Sequence, residues 1–290
     1  MYKRIMVLLK SSKSTEYALS YAERLSTRFQ ADLHLLYLRD EGGNAGEITR
    51  AKIATGIASA GRRSTTIVKE RETNVKAVEL AGYTAKNIAA YANSEKIDLI
   101  VTEQNELGAK RCGMTKLVET LLNLIEQPIL IVNPGKMIQD NDMLGRILVP
   151  LDQSIEGETI LPDVERLAYN MNSEVTLFNV IPVELDSMAI AITSHLSYRE
   201  KETKNTTAIS LHYLEEVADN LCEKNIAVRC DVQSGSIDEE ILAYADQMKA
   251  DLIAISTQGY SKIGKWFFGS TTSKVMRKAN TNLLLIKQRK

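Results

Sequence analysis

The sequence is notable first for what it lacks. No apolar run approaches the roughly 20 residues that a membrane-spanning helix needs, so no membrane partner is expected. The opening MYKRIMVLLKSS is short and broken by Lys10, which argues against a secretory signal. Only three cysteines occur, Cys112, Cys222 and Cys230, widely spaced and outside any CxxC or Cys/His pattern. That excludes a zinc-type motif and points to reduced thiols in a cytoplasmic setting. The three histidines, His34, His195 and His212, are scattered. His34 lies inside DLHLLYL and reads as a strand histidine rather than a metal ligand. Basic and acidic residues balance to a net charge of -1. Without a basic excess, nucleic acid is not an expected partner. No Ser-His-Asp arrangement, metal cluster or pair of usefully spaced carboxylates is evident, so a dedicated enzyme is not expected.

What is present is an ordinary globular composition, 44% hydrophobic and 25% charged over 290 residues, enough for one large or two medium domains. An internal repeat decides between them. IAAYANSEKIDLIVTE, from Ile88, returns as ILAYADQMKADLIAIS, from Ile241, an offset of 153 positions. The segments KRIMVLLKSS from Lys3 and GRILVPLDQS from Gly145 also match, as do PILIVN from Pro128 and NLLLIK from Asn282. The chain therefore reads as two copies of one domain, 1–135 and 145–290, joined by a linker at 136–144.

Within each copy, short Val-, Ile- and Leu-rich runs alternate with longer stretches of helical period. In IDEEILAYADQM, Ile237, Ile241, Tyr244, Ala245 and Met248 form one face, and Asp238, Glu239, Glu240 and Asp246 begin the polar face or the first turn. Strand and helix in alternation predict an α/β fold: two tandem doubly wound domains, each with a five-stranded parallel sheet flanked by helices. Ligands in such folds sit beyond the carboxyl ends of the strands, where strand order reverses.

The stretch STQGYSKIGKWFFGSTTSKV, Ser256 to Val275, lies between a buried strand and a helix. Gly259, Gly264 and Gly269 would let main-chain amides turn towards a ligand without a Cβ in the way. A helix beginning near Gly269 adds unpaired N–H groups and partial positive charge. Ser270, Thr271 and Thr272 add hydroxyls, and Lys262 and Lys265 add charge. Pro150 and Asp152 close the first strand of this copy, Val180 the second, and Ile255 and Ser256 the fourth. All should face one crevice. The competing reading is a flexible turn with a serine cap.

At this point the sequence resembles the universal stress protein family in its tandem form. The family's motif is G-x-x-G, nine residues, then G followed by Ser or Thr; here Gly259 is followed after nine residues by Gly269 and Ser270. The ending KVMRKANTNLLLIK is similar to the family's last helix and strand. The resemblance implies ATP or another adenine nucleotide in the second copy, with Asp152 as the acidic residue at the first strand end and Val180 against adenine. It implies a sensor or adaptor with a protein partner, weak ATP hydrolysis at most, and a dimer-like pairing of the two copies within one chain. A magnesium ion beside the nucleotide is left open, because Asp152 has no second carboxylate next to it in sequence. Assembly of two chains is open too. One departure stands out: Ser256 occupies the place of the motif's first glycine. A non-nucleotide-binding scaffold that has lost the site is therefore the alternative. An adenylating enzyme of the related α-hydrolase type would need a glycine- and serine-rich first-strand loop, which RILVPLDQS lacks.

In the first copy Lys10 stands where Asp152 does, Glu103 at Ser256 and Glu106 at Gly259, while Thr115 and Lys116 take the places of Gly269 and Ser270. Carboxylates there repel phosphate, so this copy reads as degenerate. Lys10 and Glu103 are expected to pair across its crevice. Two features remain. Trp266, the single tryptophan, reads as loop packing. Pro182 to Thr207 reads either as a flap over the nucleotide or as an extension into a helix near Ile209 to Leu221.

Overall fold

The computed structural model describes residues 1–9, 15–39, 74–81, 84–104, 111–134, 143–183, 196–257 and 269–287, and side chains within these except at 15–16, 38–39, 81, 111–115 and 196–204. The chain divides into two compact units, Met1–Met137 and Ile138–Lys290. The first contains β1 (Arg4–Leu9), α1 (Thr15–Phe29), β2 (Asp32–Arg39), β3 (Val75–Ala81), α2 (Ala85–Ser94), β4 (Leu99–Glu103), α3 (Arg111–Leu124) and β5 (Ile129–Val132). Its strands run parallel in the order β3-β2-β1-β4-β5. The second contains β6 (Arg146–Pro150), α4 (Ile155–Glu158), α5 (Leu161–Met171), β7 (Glu174–Pro182), α6 (Leu196–Cys222), β8 (Ala227–Gly235), α7 (Ile237–Gln247), β9 (Leu252–Ser256), α8 (Ser270–Lys278) and β10 (Asn282–Ile286). Its parallel order is β10-β9-β6-β7-β8. Each unit is the expected five-stranded α/β layer.

The continuous apolar runs became central strands because both faces are covered: every residue of β4, β9 and β10 is buried. The repeated sequence segment has a physical job in both units. The Asp98 carboxylate accepts the main-chain N–H groups of Lys3 and Arg4 at 2.7 and 2.9 Å, and Asp251 accepts that of Arg146 at 2.9 Å. Each aspartate thereby pins the start of the neighbouring central strand. Just before it, Lys96 and Lys249 take left-handed backbone angles, φ 51° and 53°, that end α2 and α7. The Ile97 and Ala250 N–H groups then reach back to the Ala92 and Ala245 carbonyls, satisfying the last turn.

Two expectations need correction. Asp238 lies in the first turn of α7, one of the two places foreseen for it, but there it is buried, 4% exposed, and receives Lys274 and Lys278 at 2.9 and 3.1 Å. Its neighbour Ile237 is exposed instead, because α7 turns its Asp238 side against α8. Ile241 and Ala245 are buried as the period requires, and Tyr244 stacks on Phe178. The helix expected near Ile209 begins at Leu196. Its first half, SYREKETKNTT, has no apolar stripe to announce it. Among the described residues no helix is long and apolar enough to cross a membrane.

Candidate functional site

The chain of the second unit runs from β6 to β7 to β8 on one side, then returns to place β9 on the other side of β6. The strand order reverses between β6 and β9, the position beyond whose carboxyl ends folds of this kind hold a ligand. Pro150 ends β6, half-buried and in register with Phe178. Asp152 follows it, exposed at the mouth. Val180 lies near the end of β7, and Ile255 and Ser256 end β9, all three buried. Gly269 caps α8, with Ser270, Thr271 and Thr272 in its first turn. Gly259, Lys262, Lys265 and Trp266 lie outside the described residues, as does the loop that carries them.

Asp152 is held by its own turn. Its Oδ1 accepts the Ser154 N–H at 3.2 Å and a short bond from the Ser154 hydroxyl. Ser154 Oγ in turn accepts the Gly157 N–H at 2.9 Å and caps α4. Gly157 is needed here, since a Cβ on it would lie 2.7 Å from Asp152 Oδ1. Gln153 adopts the left-handed region, φ 63°. On β7 the Asn179 side chain donates to the Leu151 carbonyl at 2.6 Å, fixing the end of β6 to its neighbour.

Ser256 does not project openly into the crevice. It is 5% exposed, with Oγ 3.4 Å from Thr159 Oγ1, and its carbonyl accepts the Thr272 hydroxyl at 3.1 Å. The Gly269 N–H was expected to face an anion; instead it donates to the Thr257 carbonyl at 2.9 Å. That leaves the first-turn amides of α8, at Ser270, Thr271 and Thr272, as the groups for which a helix supplies no partner of its own. Gly269 itself has φ -56° and ψ 141°, an ordinary extended geometry. Among the described residues, a Cβ there would meet the Thr257 carbonyl at 3.4 Å, an ordinary contact.

Sequence reasoning placed no second carboxylate beside Asp152; in the fold, Glu158 and Asp152 both act on Tyr213. Glu158 Oε1 accepts the Tyr213 hydroxyl at 2.8 Å. Burial, then Glu158, then Asp152 raise the Tyr213 hydroxyl far above the usual tyrosine range, so it stays a donor. Among the described residues no group of three or more metal-binding side chains is assembled.

The first unit differs at its corresponding mouth. Glu103 ends β4 with its carboxylate buried, 4% exposed. Thr115 and Lys116, aligned with Gly269 and Ser270, sit inside α3, which begins at Arg111. From its fifth residue on a helix engages its own amides, so no helix start coincides with those positions. Lys10 and Glu106 lie outside the described residues, and with them the expected Lys10–Glu103 pair. His34 is the strand histidine anticipated, buried on β2 with Nδ1 2.9 Å from the Tyr91 hydroxyl.

Residues 1–133 and 143–287 each match the universal stress protein family. The chain belongs to that family, in two tandem copies. A universal stress protein of Methanocaldococcus jannaschii is 25% identical over 157 residues, covering 51% of this chain and 97% of its own length. Among solved structures, a universal stress protein from Archaeoglobus fulgidus is similar with a TM-score of 0.66 at 17% identity, covering 98% of this chain and 96% of its own. A protein of unknown function from Pseudomonas aeruginosa PAO1 has a TM-score of 0.69 at 15% identity, with coverages of 99% and 92%. At such identities these structures establish the universal stress protein fold. Ser154, Thr159, Gln153 and Tyr213 were not singled out from sequence. Only Ser154 left a signal, a small hydroxyl residue ahead of an acidic first turn.

Proposed function

We propose that this universal stress protein is a stress-response sensor or adaptor that binds ATP or another adenine nucleotide in its second copy, 145–290. The degenerate first copy, 1–135, joined by 136–144, is its partner within the chain. The observation that carries the reading is Gly269. Its backbone angles do not require glycine, and the described neighbours leave room for a Cβ. A bare Cα at the N-terminus of α8, flanked by serine and threonine, is what close approach of a phosphate demands. The donor set fits the ligand: first-turn amides and hydroxyls for phosphate, and an exposed Asp152 carboxylate to accept a sugar hydroxyl. Glu158, which with Asp152 acts on Tyr213, would be the further acidic group for a hydrated magnesium ion. Bound nucleotide would carry the charge; the protein would orient it.

The test is calorimetric titration of the full chain with ATP, ADP and AMP, with and without magnesium, beside Gly269→Val. Binding by the native chain and its loss in a folded Gly269→Val variant support the reading. Equal absence of binding in both supports the second reading, a scaffold. Ser256 favours that alternative, since it fills a motif glycine's place and turns its hydroxyl to Thr159.

A further inference from the structure

We propose that α6 is a ligand-responsive lever, pivoting on the turn that carries Asp152; the ligand part of this rests on the nucleotide reading above. The geometry begins with length. A helix over Leu196–Cys222 spans on the order of 40 Å at the standard rise. As the crossover between parallel β7 and β8 it runs antiparallel to both strands. Its end lies by the start of β8, where the Asn225 and Ile226 N–H groups reach the Cys222 and Leu221 carbonyls. Ser210, by contrast, is level with the crevice, since its Oγ accepts the Gln153 side-chain amide at 3.0 Å. Everything from Leu196 to Ile209 therefore continues roughly 20 Å beyond that level. Ile209 is 56% exposed, while Ser210 and Leu214 are fully buried. The described side chains at 205–209 are mostly exposed, and the buried stretch of the helix begins at Ser210.

Two bonds tie this boundary to the Asp152 turn: Gln153 to Ser210, and Tyr213 to Glu158. The turn is tight. Ser154 binds Asp152 through both N–H and hydroxyl, and Gly157 has no room for a Cβ against Asp152 Oδ1. A ligand that hydrogen-bonds Asp152 engages the carboxylate that Ser154 holds through Oδ1. The turn must adjust, and residues 153 and 158 carry that adjustment to α6. A small rotation at the pivot becomes a large displacement at Leu196, which gives a nucleotide sensor a surface whose position reports occupancy.

Hydrogen-exchange mass spectrometry on the full chain tests this, with and without ATP, for the native protein and for Ser210→Ala combined with Tyr213→Phe. Calorimetry reports ATP binding in parallel. ATP should change exchange across 196–209 by about threefold or more in the native chain. In the double variant ATP still binds, and that change disappears. Without nucleotide, the double variant should exchange faster in both 152–159 and 196–209. The lever is overturned if ATP binds the native chain and leaves 196–209 unchanged, or if the ligand-free double variant alters the helix and not the turn. Absence of any binding heat sinks the nucleotide reading and the ligand-responsive part of the lever with it. The ligand-free comparison then decides the mechanical link by itself.

Discussion

The Thr272 hydroxyl donates to the Ser256 carbonyl at 3.1 Å, fastening the first turn of α8 to the last residue of β9. The Gly269 N–H adds a second tie, to the Thr257 carbonyl at 2.9 Å. Both ends of the glycine loop are thus clamped together. The clamp sets where the first-turn amides of α8 point relative to the ends of β6 and β9, independently of the loop between. Positioned dipoles bind an anion better than ones that must be ordered on binding.

Thr272→Val should therefore weaken ATP binding about as much as it weakens the fold. Valine keeps the shape and removes the donor, leaving the Ser256 carbonyl short of one partner in a buried site. The expected cost in urea unfolding is about 1–2 kcal/mol. ATP affinity should fall about tenfold, and Thr272→Ser, which restores the hydroxyl, should recover most of it. Titration of both variants checks this. Equal affinities for Val and Ser would remove the clamp from the argument.

Asp238 makes the other long-range attachment of α8. Burial pushes its carboxyl up, but the two lysines outweigh that and hold it below the usual aspartate range. The folded-state value is depressed, so the pair contributes stability above the unfolded pKa, about 4, and loses it as pH falls through the folded value. Lys274 and Lys278 are about half exposed, so solvent screens the pairing. Asp238→Asn should cost about 1–2 kcal/mol at pH 7. The gap between native and variant urea midpoints should close below pH 4. A gap that does not begin to narrow as pH falls below 4 contradicts the assignment.

Much of this architecture was readable from the chain, and the reasons are local. Asp98 and Asp251 do the same work on the same strand, and Lys96 and Lys249 stop equivalent helices, so the repeat shows in the letters. Asp152, Val180, Ser256 and Gly269 were legible as strand-end and helix-start positions because such ends can be located from periodicity. The contacts of Thr159 with Ser256, and of Tyr213 with Glu158, were not. They depend on how α4 and α6 pack over the sheet, and no spacing within one element encodes that. Asp238 misled for the same reason. An acid in a helix's first turn reads as a solvated dipole partner, while its lysines stand 36 and 40 positions away.

Cysteine chemistry should separate along the same structural lines. Cys222 ends α6 and is exposed; Cys230 lies on β8, half-buried. Burial, then Glu215, Cys222 and Asp219, push the Cys230 thiol up to about 11. The thiolate is the reactive form. At pH 8 iodoacetamide should label Cys222 at least about tenfold faster than Cys230, read by peptide mass mapping of the native protein. Comparable rates would show that the acidic face of α6 does not cover Cys230 in solution.

The pH response of the first unit should centre on His34. It is buried on β2 against Tyr91, and burial is the main force lowering its pKa; Lys76 and Arg4 act the same way, Glu95 and Asp32 oppose. The native state therefore resists protonation that the unfolded chain accepts near pH 6.5. For a histidine with a depressed folded value, stability falls as pH drops below the unfolded pKa, because the unfolded state binds the extra proton. The second unit offers the control substitution: in the register of β6 and β7, Thr176 occupies the place that His34 holds between β1 and β2. His34→Thr removes the titrating ring and its contact with Tyr91, costing about 1–3 kcal/mol at pH 7.5. Between pH 7.5 and 5.5 the native protein should lose that advantage progressively, so the difference in Tm narrows. A difference that stays constant on acidification would mean the ring takes up its proton alike in both states, and one that widens would mean His34 is already protonated in the folded chain and donates to the Tyr91 oxygen.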